Sequence, residues 1–206
     1  MLRQVEQRHA YRLLNHGPLT LITSAHGGTR NVMAASWVMP LDFDPPKLVA
    51  VIDKATRTRQ LIDRSGEFAV NLPTPELAAQ ALAVGRVSAL NLERDGVDNK
   101  IEAFGLQSFA ARHIDVPLIE GCAAWLECRV IREPRVEVAY DLFVAEVIVA
   151  WADERYFANG RWLNPEAAMP RPATIHYVAG GQFFESSPLF EVEPAPLQVA
   201  CNDVSE

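Results

Sequence analysis

Short apolar stretches alternate with polar breaks along most of the chain, and their lengths predict strands more often than helices. Residues 19–24 (LTLITS) are rich in β-branched side chains and predict a first strand. Residues 25–30 carry paired glycines and read as a hairpin loop, with 31–39 as the returning strand. Residues 41–47 hold two prolines and read as a stiffened loop. Residues 48–52 are apolar throughout, which predicts a third strand buried on both faces. Residues 68–72, 123–133, 140–150 and 174–178 predict further strands, and 155–163 a short aromatic hairpin around Asn159-Gly160.

Helical signals are inserted between these strands. Residues 5–14 predict a short helix. Residues 56–65 predict another, with Thr56 or Thr58 as N-cap, Leu61 and Ile62 facing inward, and Gly66 ending it. Residues 74–85 are alanine-rich, with Thr74 as N-cap and Pro75 in the first turn. Residues 88–105 carry many charges and a DG turn, and read as a second helical region with a surface loop. There is no βαβ alternation and no GxGxxG. The fold expected is mainly β with inserted helices, an antiparallel barrel with helical excursions. Residues 1–186 are expected to form one domain. Residues 187–206, acidic and proline-containing without a period, are expected to be a tail.

Composition narrows the function classes. About half of the 206 residues are apolar, enough for a sizeable core. A net charge of −7 argues against a non-specific nucleic-acid binder. The first residues lack a continuous apolar run, and no uncharged stretch is long enough to span a bilayer, so no membrane association and a cytoplasmic location are expected. The three cysteines, Cys122, Cys128 and Cys201, have no metal-ligand spacing, and Cys122 and Cys128 read as buried, reduced thiols.

Chemistry concentrates in residues 31–72. A run of small residues ends in a hydroxyl and an indole (Ala34, Ala35, Ser36, Trp37). The turn Asp44-Pro45-Pro46 follows, then an apolar strand that runs into Asp53-Lys54-Ala55-Thr56-Arg57-Thr58. A strand end meeting a helix start, dressed with cations and hydroxyls, is suited to holding a phosphate. The plainer reading makes Lys54 and Arg57 a solvated helix end and Thr58 a cap.

Taken in order, these residues resemble the flavin reductase-like family with the FMN-binding split barrel. The series Asn31…Ala34-Ala35-Ser36-Trp37, Asp44-Pro45-Pro46, Lys54…Arg57-Thr58 and Ser65-Gly66-Glu67-Phe68-Ala69-Val70-Asn71 carries the likeness. Asp98-Asn99-Lys100, Pro117-Leu118-Ile119-Glu120, Leu142-Phe143-Val144-Ala145-Glu146-Val147 and His176-Tyr177-Val178-Ala179-Gly180-Gly181 extend it over roughly residues 10–185. Many relatives carry a histidine just before the Leu142 segment, where this chain has Tyr140-Asp141.

The resemblance implies FMN, or FAD, bound in a groove at a homodimer interface. It implies an NAD(P)H:flavin oxidoreductase that passes hydride from nicotinamide to flavin N5, with a monooxygenase or electron-transfer partner. The alternative is a flavoredoxin-like carrier supplied with electrons by a protein partner. Carried onto this sequence, it implies phosphate contacts from Lys54, Arg57 and Thr58, and a phosphate or ribityl contact from Ser36. Ala34, Ala35 and Trp37 would line the ring pocket. Asp53 and Asn71 would reach the ring or ribityl chain, Lys100 would come from a distant segment, and His176 would stand near the nicotinamide. No acid–base residue is required, because the cofactors carry the chemistry.

Overall fold

In the computed structural model, which describes residues 6–14, 17–163 and 173–186, an exposed 3-10 helix (Gln7–Leu13) occupies the place of the predicted first helix. β1 (Thr20–His26) turns at Gly27 and Gly28, both at positive φ, and returns as β2 (Thr29–Ala35). Glycine takes that backbone conformation at no steric cost, which is why the pair makes the turn. Ser36 and Trp37 then interrupt the ladder, so the predicted strand 31–39 is two strands. β3 (Val38–Phe43) and β4 (Pro46–Val51) form the next hairpin, joined through a cis Asp44-Pro45 bond. Residues 41–47 are thus mostly strand, with Pro46 at a strand start, where a missing N–H is tolerated. β4 buries Leu48 and Ala50 and leaves Val49 and Val51 half-buried, so one face, not both, is fully covered.

α1 (Arg57–Ser65) begins where Thr56 Oγ1 accepts from Arg59 N, and Gly66 ends it at φ 72°. β5 (Glu67–Pro73) follows, then α2 (Ala78–Arg86), α3 (Ala89–Arg94) and α4 (Lys100–Ala103). Thr74 does not cap α2; its hydroxyl donates to Gly121 O at 3.1 Å. β6 (Ser108–Ala110), β7 (Pro117–Ile119) and β8 (Cys122–Ile131) lead to α5 (Pro134–Tyr140) and β9 (Leu142–Ala152). The chain then makes two hairpins, β10 (Phe157–Ala158) with β11 (Arg161–Trp162), and β12 (Ile175–Ala179) with β13 (Gln182–Glu185). α5 escaped the sequence reading because its segment, PRVEVAY, alternates like a strand; Val138 and Tyr140 are in fact exposed.

The main sheet has seven strands in the order β2-β1-β5-β8-β9-β4-β3, every neighbour antiparallel. Its two edge strands are β2 and β3, yet only Ser36 and Trp37 lie between them in the chain. Three Cα–Cα steps span at most about 11 Å, whereas a flat sheet of this size would be about 29 Å wide. The sheet must therefore roll into a barrel split between β2 and β3. Ile22, Leu48, Phe68, Val70 and Phe143 fill its interior, with Ile62 of α1 packed among them. On the outside Leu21 and Val32 meet Ala81 and Val84 of α2, Ile101 of α4 and Ile175 of β12. Cys122 and Cys128 are buried free thiols, and burial raises the pKa of each. Cys201 and the predicted tail lie outside the described residues.

Glu127 of β8 is fully buried and anchors the loop before β7. Its carboxylate accepts from Arg112 N (3.1 Å), His113 N (2.7 Å) and Trp151 Nε1 (2.8 Å), while Arg112 lies over the Trp151 ring. Burial opposes the charge, but the indole and the two amides hold the pKa below the usual carboxylate range. The stability this gives is present above the unfolded Glu pKa of about 4.3 and lost as pH falls through the lower folded value. Glu127→Gln is expected to cost about 2 kcal/mol in urea unfolding at neutral pH and to flatten the acid side of the stability profile.

Candidate functional site

The end of β4 is turned into α1 by local polar bonds. Asp53 Oδ1 accepts from Ala55 N at 2.7 Å, and the Asp53 carbonyl accepts from the Thr56 hydroxyl at 2.7 Å. Arg57 therefore stands at the first residue of α1, facing β2. Thr58 is fully buried, and its hydroxyl oxygen accepts from Asn31 Nδ2 of β2 at 2.7 Å. The other end of that carboxamide, Asn31 Oδ1, is buried with no hydrogen-bond partner. An unpaired buried acceptor is costly unless something else satisfies it.

Asn31 also lines a groove of about 310 Å³ that runs along β2 between the start of α1 and the α2–α3 junction. Ligand pockets run from about 300 to 1,000 Å³. β2 is an edge strand, so its outer N–H and C=O groups are unpaired within the sheet. Gly85 lets α2 come close: a Cβ there would stand 3.4 Å from the Ala34 Cβ. Arg57, Arg86 and Lys100 line the groove, which gives it a cationic wall in a chain of net charge −7. One end continues into a narrower, apolar pocket of about 180 Å³ with Ala34, Ser36, Tyr177 and Phe183 on its walls. At the other end Arg57 separates the groove from an outer polar hollow of about 410 Å³ that holds Arg30, Glu93 and Asp98. There Arg57 Nε lies 2.8 Å from Glu93 Oε1, and its Nη1 donates to Gln60 Oε1 at 3.1 Å.

Ala34, Ser36, Arg57, Thr58 and Lys100 are thus brought to one continuous groove. Lys100 is buried there, and its ammonium donates to Val84 O (2.8 Å) and Val87 O (2.5 Å), tying α4 to the end of α2. His176 is on β12, beside the Tyr177 that lines the narrow end. Trp37 is half-exposed at the split between the edge strands, edge-on to Tyr11. Ala35 turns the other way, into the barrel core. Asp53 is spent on the turn, and Lys54 is exposed with its Nζ 3.5 Å from Asp141. Asn71 sits apart from the groove, fully buried. It donates to Leu21 O and accepts from Ile119 N, so it fastens β5 to β1 and β7. Sequence reasoning missed Asn31, Gly85 and Arg86 as groove residues, and Glu93 in the adjoining hollow. Arg86 ends an alanine-rich helix, where a cation is unremarkable as a complement to the helix dipole.

An antiparallel barrel split between two strands, with a cationic groove along one lip, defines a class of small-molecule-binding split barrels. The sequence pattern of the flavin reductase like domain matches residues 12–165, and the chain belongs to that family. YddH of Escherichia coli K12, itself uncharacterized, is 38% identical over 185 residues, covering 88% of this chain and 93% of YddH. The FMN-binding domain of a flavin reductases-like enzyme from Shewanella baltica is 42% identical, with a TM-score of 0.79 over 92% of this chain and 96% of that one. Flavoredoxin of Desulfovibrio vulgaris (Miyazaki F) is 20% identical, with a TM-score of 0.76 over 93% of this chain and 97% of its own, which shows the shared fold. The expectation of a mainly β split barrel of the flavin reductase-like type is therefore met.

Burial lowers the Lys100 pKa from 10.5 to about 8. The folded chain then binds fewer protons than the unfolded one between those values, so this residue makes stability rise with pH across that window. The urea midpoint is expected to show that rise, relative to Lys100→Met, between about pH 8 and 10. Parallel pH profiles for the two proteins would contradict it.

Proposed function

We propose that the groove along β2 binds FMN and that the protein is a homodimeric oxidoreductase taking electrons from NAD(P)H. The observation that carries this reading is the cationic groove on an unpaired sheet edge, with Asn31 and its orphaned acceptor in the wall. FMN combines a dianionic phosphate, a polyol chain and a flat ring, and the groove offers a match for each. Arg57 and Arg86, with the first amides of α1, would hold the phosphate. Asn31 Oδ1 would accept from a ribityl hydroxyl, with Ser36 available to the same chain. The free edge of β2 would address the polar rim of the ring, and the small side chains at Ala34 and Gly85 leave the ring room. Thr58 holds Asn31 by its amide nitrogen and so fixes the carboxamide in the groove wall. When bound, FMN would supply the redox chemistry, that of a hydride acceptor for NAD(P)H. The chain's own work is to bind, orient and exclude water.

A second copy of the chain is the proposed cover for the apolar face beside the split. That face encloses about 480 Å³ between β3, β4, β8 and β9, lined mostly by apolar side chains including Val38, Met39 and Val147. Met39 on its rim is exposed, as are Trp37, Leu41 and Phe43 nearby in the chain, and clustered exposed apolar side chains mark interaction surfaces. Light scattering is expected to give twice the chain mass, and Met39→Glu to give a folded monomer. A wild-type monomer that still holds FMN would contradict the dimer.

Anaerobic visible spectra with FMN, before and after NADH and then NADPH, test the activity. Bleaching of the flavin band by either nucleotide is expected. A bound flavin that neither bleaches would replace the reading with that of an electron carrier. Arg57→Gln and Arg86→Gln are each expected to weaken FMN binding about tenfold or more, the loss of one charge-assisted hydrogen-bonding partner. Unchanged affinity in both would remove the phosphate assignment. Thr58→Ala is the less informative variant, since it strands the buried Asn31 Nδ2 and so costs stability.

A further inference from the structure

We propose that Glu93 sets how tightly the groove holds a phosphate, by sharing Arg57 with it and repelling it. The proposal rests on the FMN reading above. Arg57 lines both the groove and the outer hollow, whereas Glu93 lines the hollow alone. The guanidinium is therefore placed between a fixed carboxylate on one side and the proposed phosphate position on the other. The Nε–Oε1 distance is 2.8 Å, and the two side chains are only 21% and 27% exposed, so solvent screens their charges poorly.

Glu93 pairs with Arg57 by charge alone, since Nε has no aligned hydrogen-bond partner, and Nη1 donates to Gln60 Oε1. A guanidinium has further N–H groups, so a phosphate can bind without breaking either contact. It then shares one cation with a carboxylate, and the two anions repel each other through poorly screened space. Asp98 in the same hollow adds to the negative side, and Arg30 across it offsets part of that charge. Glu93 thus lowers the affinity for any phosphate-bearing ligand and leaves a ligand without phosphate untouched.

Glu93→Gln isolates the effect, because it keeps the acceptor oxygen and the shape and removes the charge. Dissociation constants for FMN and for riboflavin, which lacks the phosphate, are read from quenching of flavin fluorescence. In Glu93→Gln the FMN constant is expected to fall about tenfold, mostly through slower release, with riboflavin unchanged within about twofold. Glu93→Ala should move the same way. FMN binding that is unchanged or weaker in both variants overturns the proposal, and weaker binding makes Glu93 a positioning partner of Arg57. A wild-type protein that binds FMN no more tightly than riboflavin overturns the phosphate reading of the groove, and this proposal with it.

Discussion

Two residues, Ser36 and Trp37, carry the chain from one edge of a seven-stranded sheet to the other. That short reach dictates the rest of the architecture. It obliges the sheet to roll up, because a flat sheet would hold its edges far beyond the span of three peptide units. The roll creates an enclosed interior for Phe68, Phe143 and Ile22. It also leaves a split, since no β2–β3 pairing completes the ladder. The β2 lip keeps an unpaired backbone edge, the kind of surface that sheets must cover, charge or use. Here α2 and α4 shelter it from one side, and what remains is the groove.

The electrostatics of the groove follow from the same arrangement. Three cations converge where a strand edge, a helix start and a helix end meet, in a chain that is acidic overall. They are not equivalent. Lys100 is engaged by the carbonyls of Val84 and Val87, so it braces the wall. Arg57 is shared with Glu93 at the mouth of the outer hollow. Arg86 lines both the groove and its narrow apolar end. Beneath them Asn31 is held by Thr58 through its amide nitrogen, which leaves its buried oxygen without a partner.

Much of this fold was legible in the sequence where local chemistry decides structure. Gly27-Gly28 marked the first hairpin, Thr56 and Gly66 bounded α1, and Asn159-Gly160 marked the small aromatic hairpin. Errors arose where tertiary placement overrides local pattern. The prolines at 45 and 46 suggested a loop, but they sit at the turn and strand start of an edge hairpin. The alternating PRVEVAY segment of α5 suggested no helix, because Val138 and Tyr140 face solvent and leave no helical apolar stripe. At the site, the cluster around Arg57 and Thr58 was legible because a strand end and helix start are adjacent in sequence. Arg86 and Glu93 were not, since only folding brings α2 against β2 and Glu93 of α3 to Arg57. Asn71, polar in an apolar strand, drew attention for the right physical reason, but it satisfies the backbone between strands.

A crystal structure of the protein soaked with FMN tests the central claim most directly. The account predicts flavin density along β2, with the phosphate within hydrogen-bonding distance of Arg57 and a ribityl hydroxyl facing Asn31 Oδ1. Flavin density on the apolar face of β3, β4 and β9, with the β2 groove empty, would contradict it.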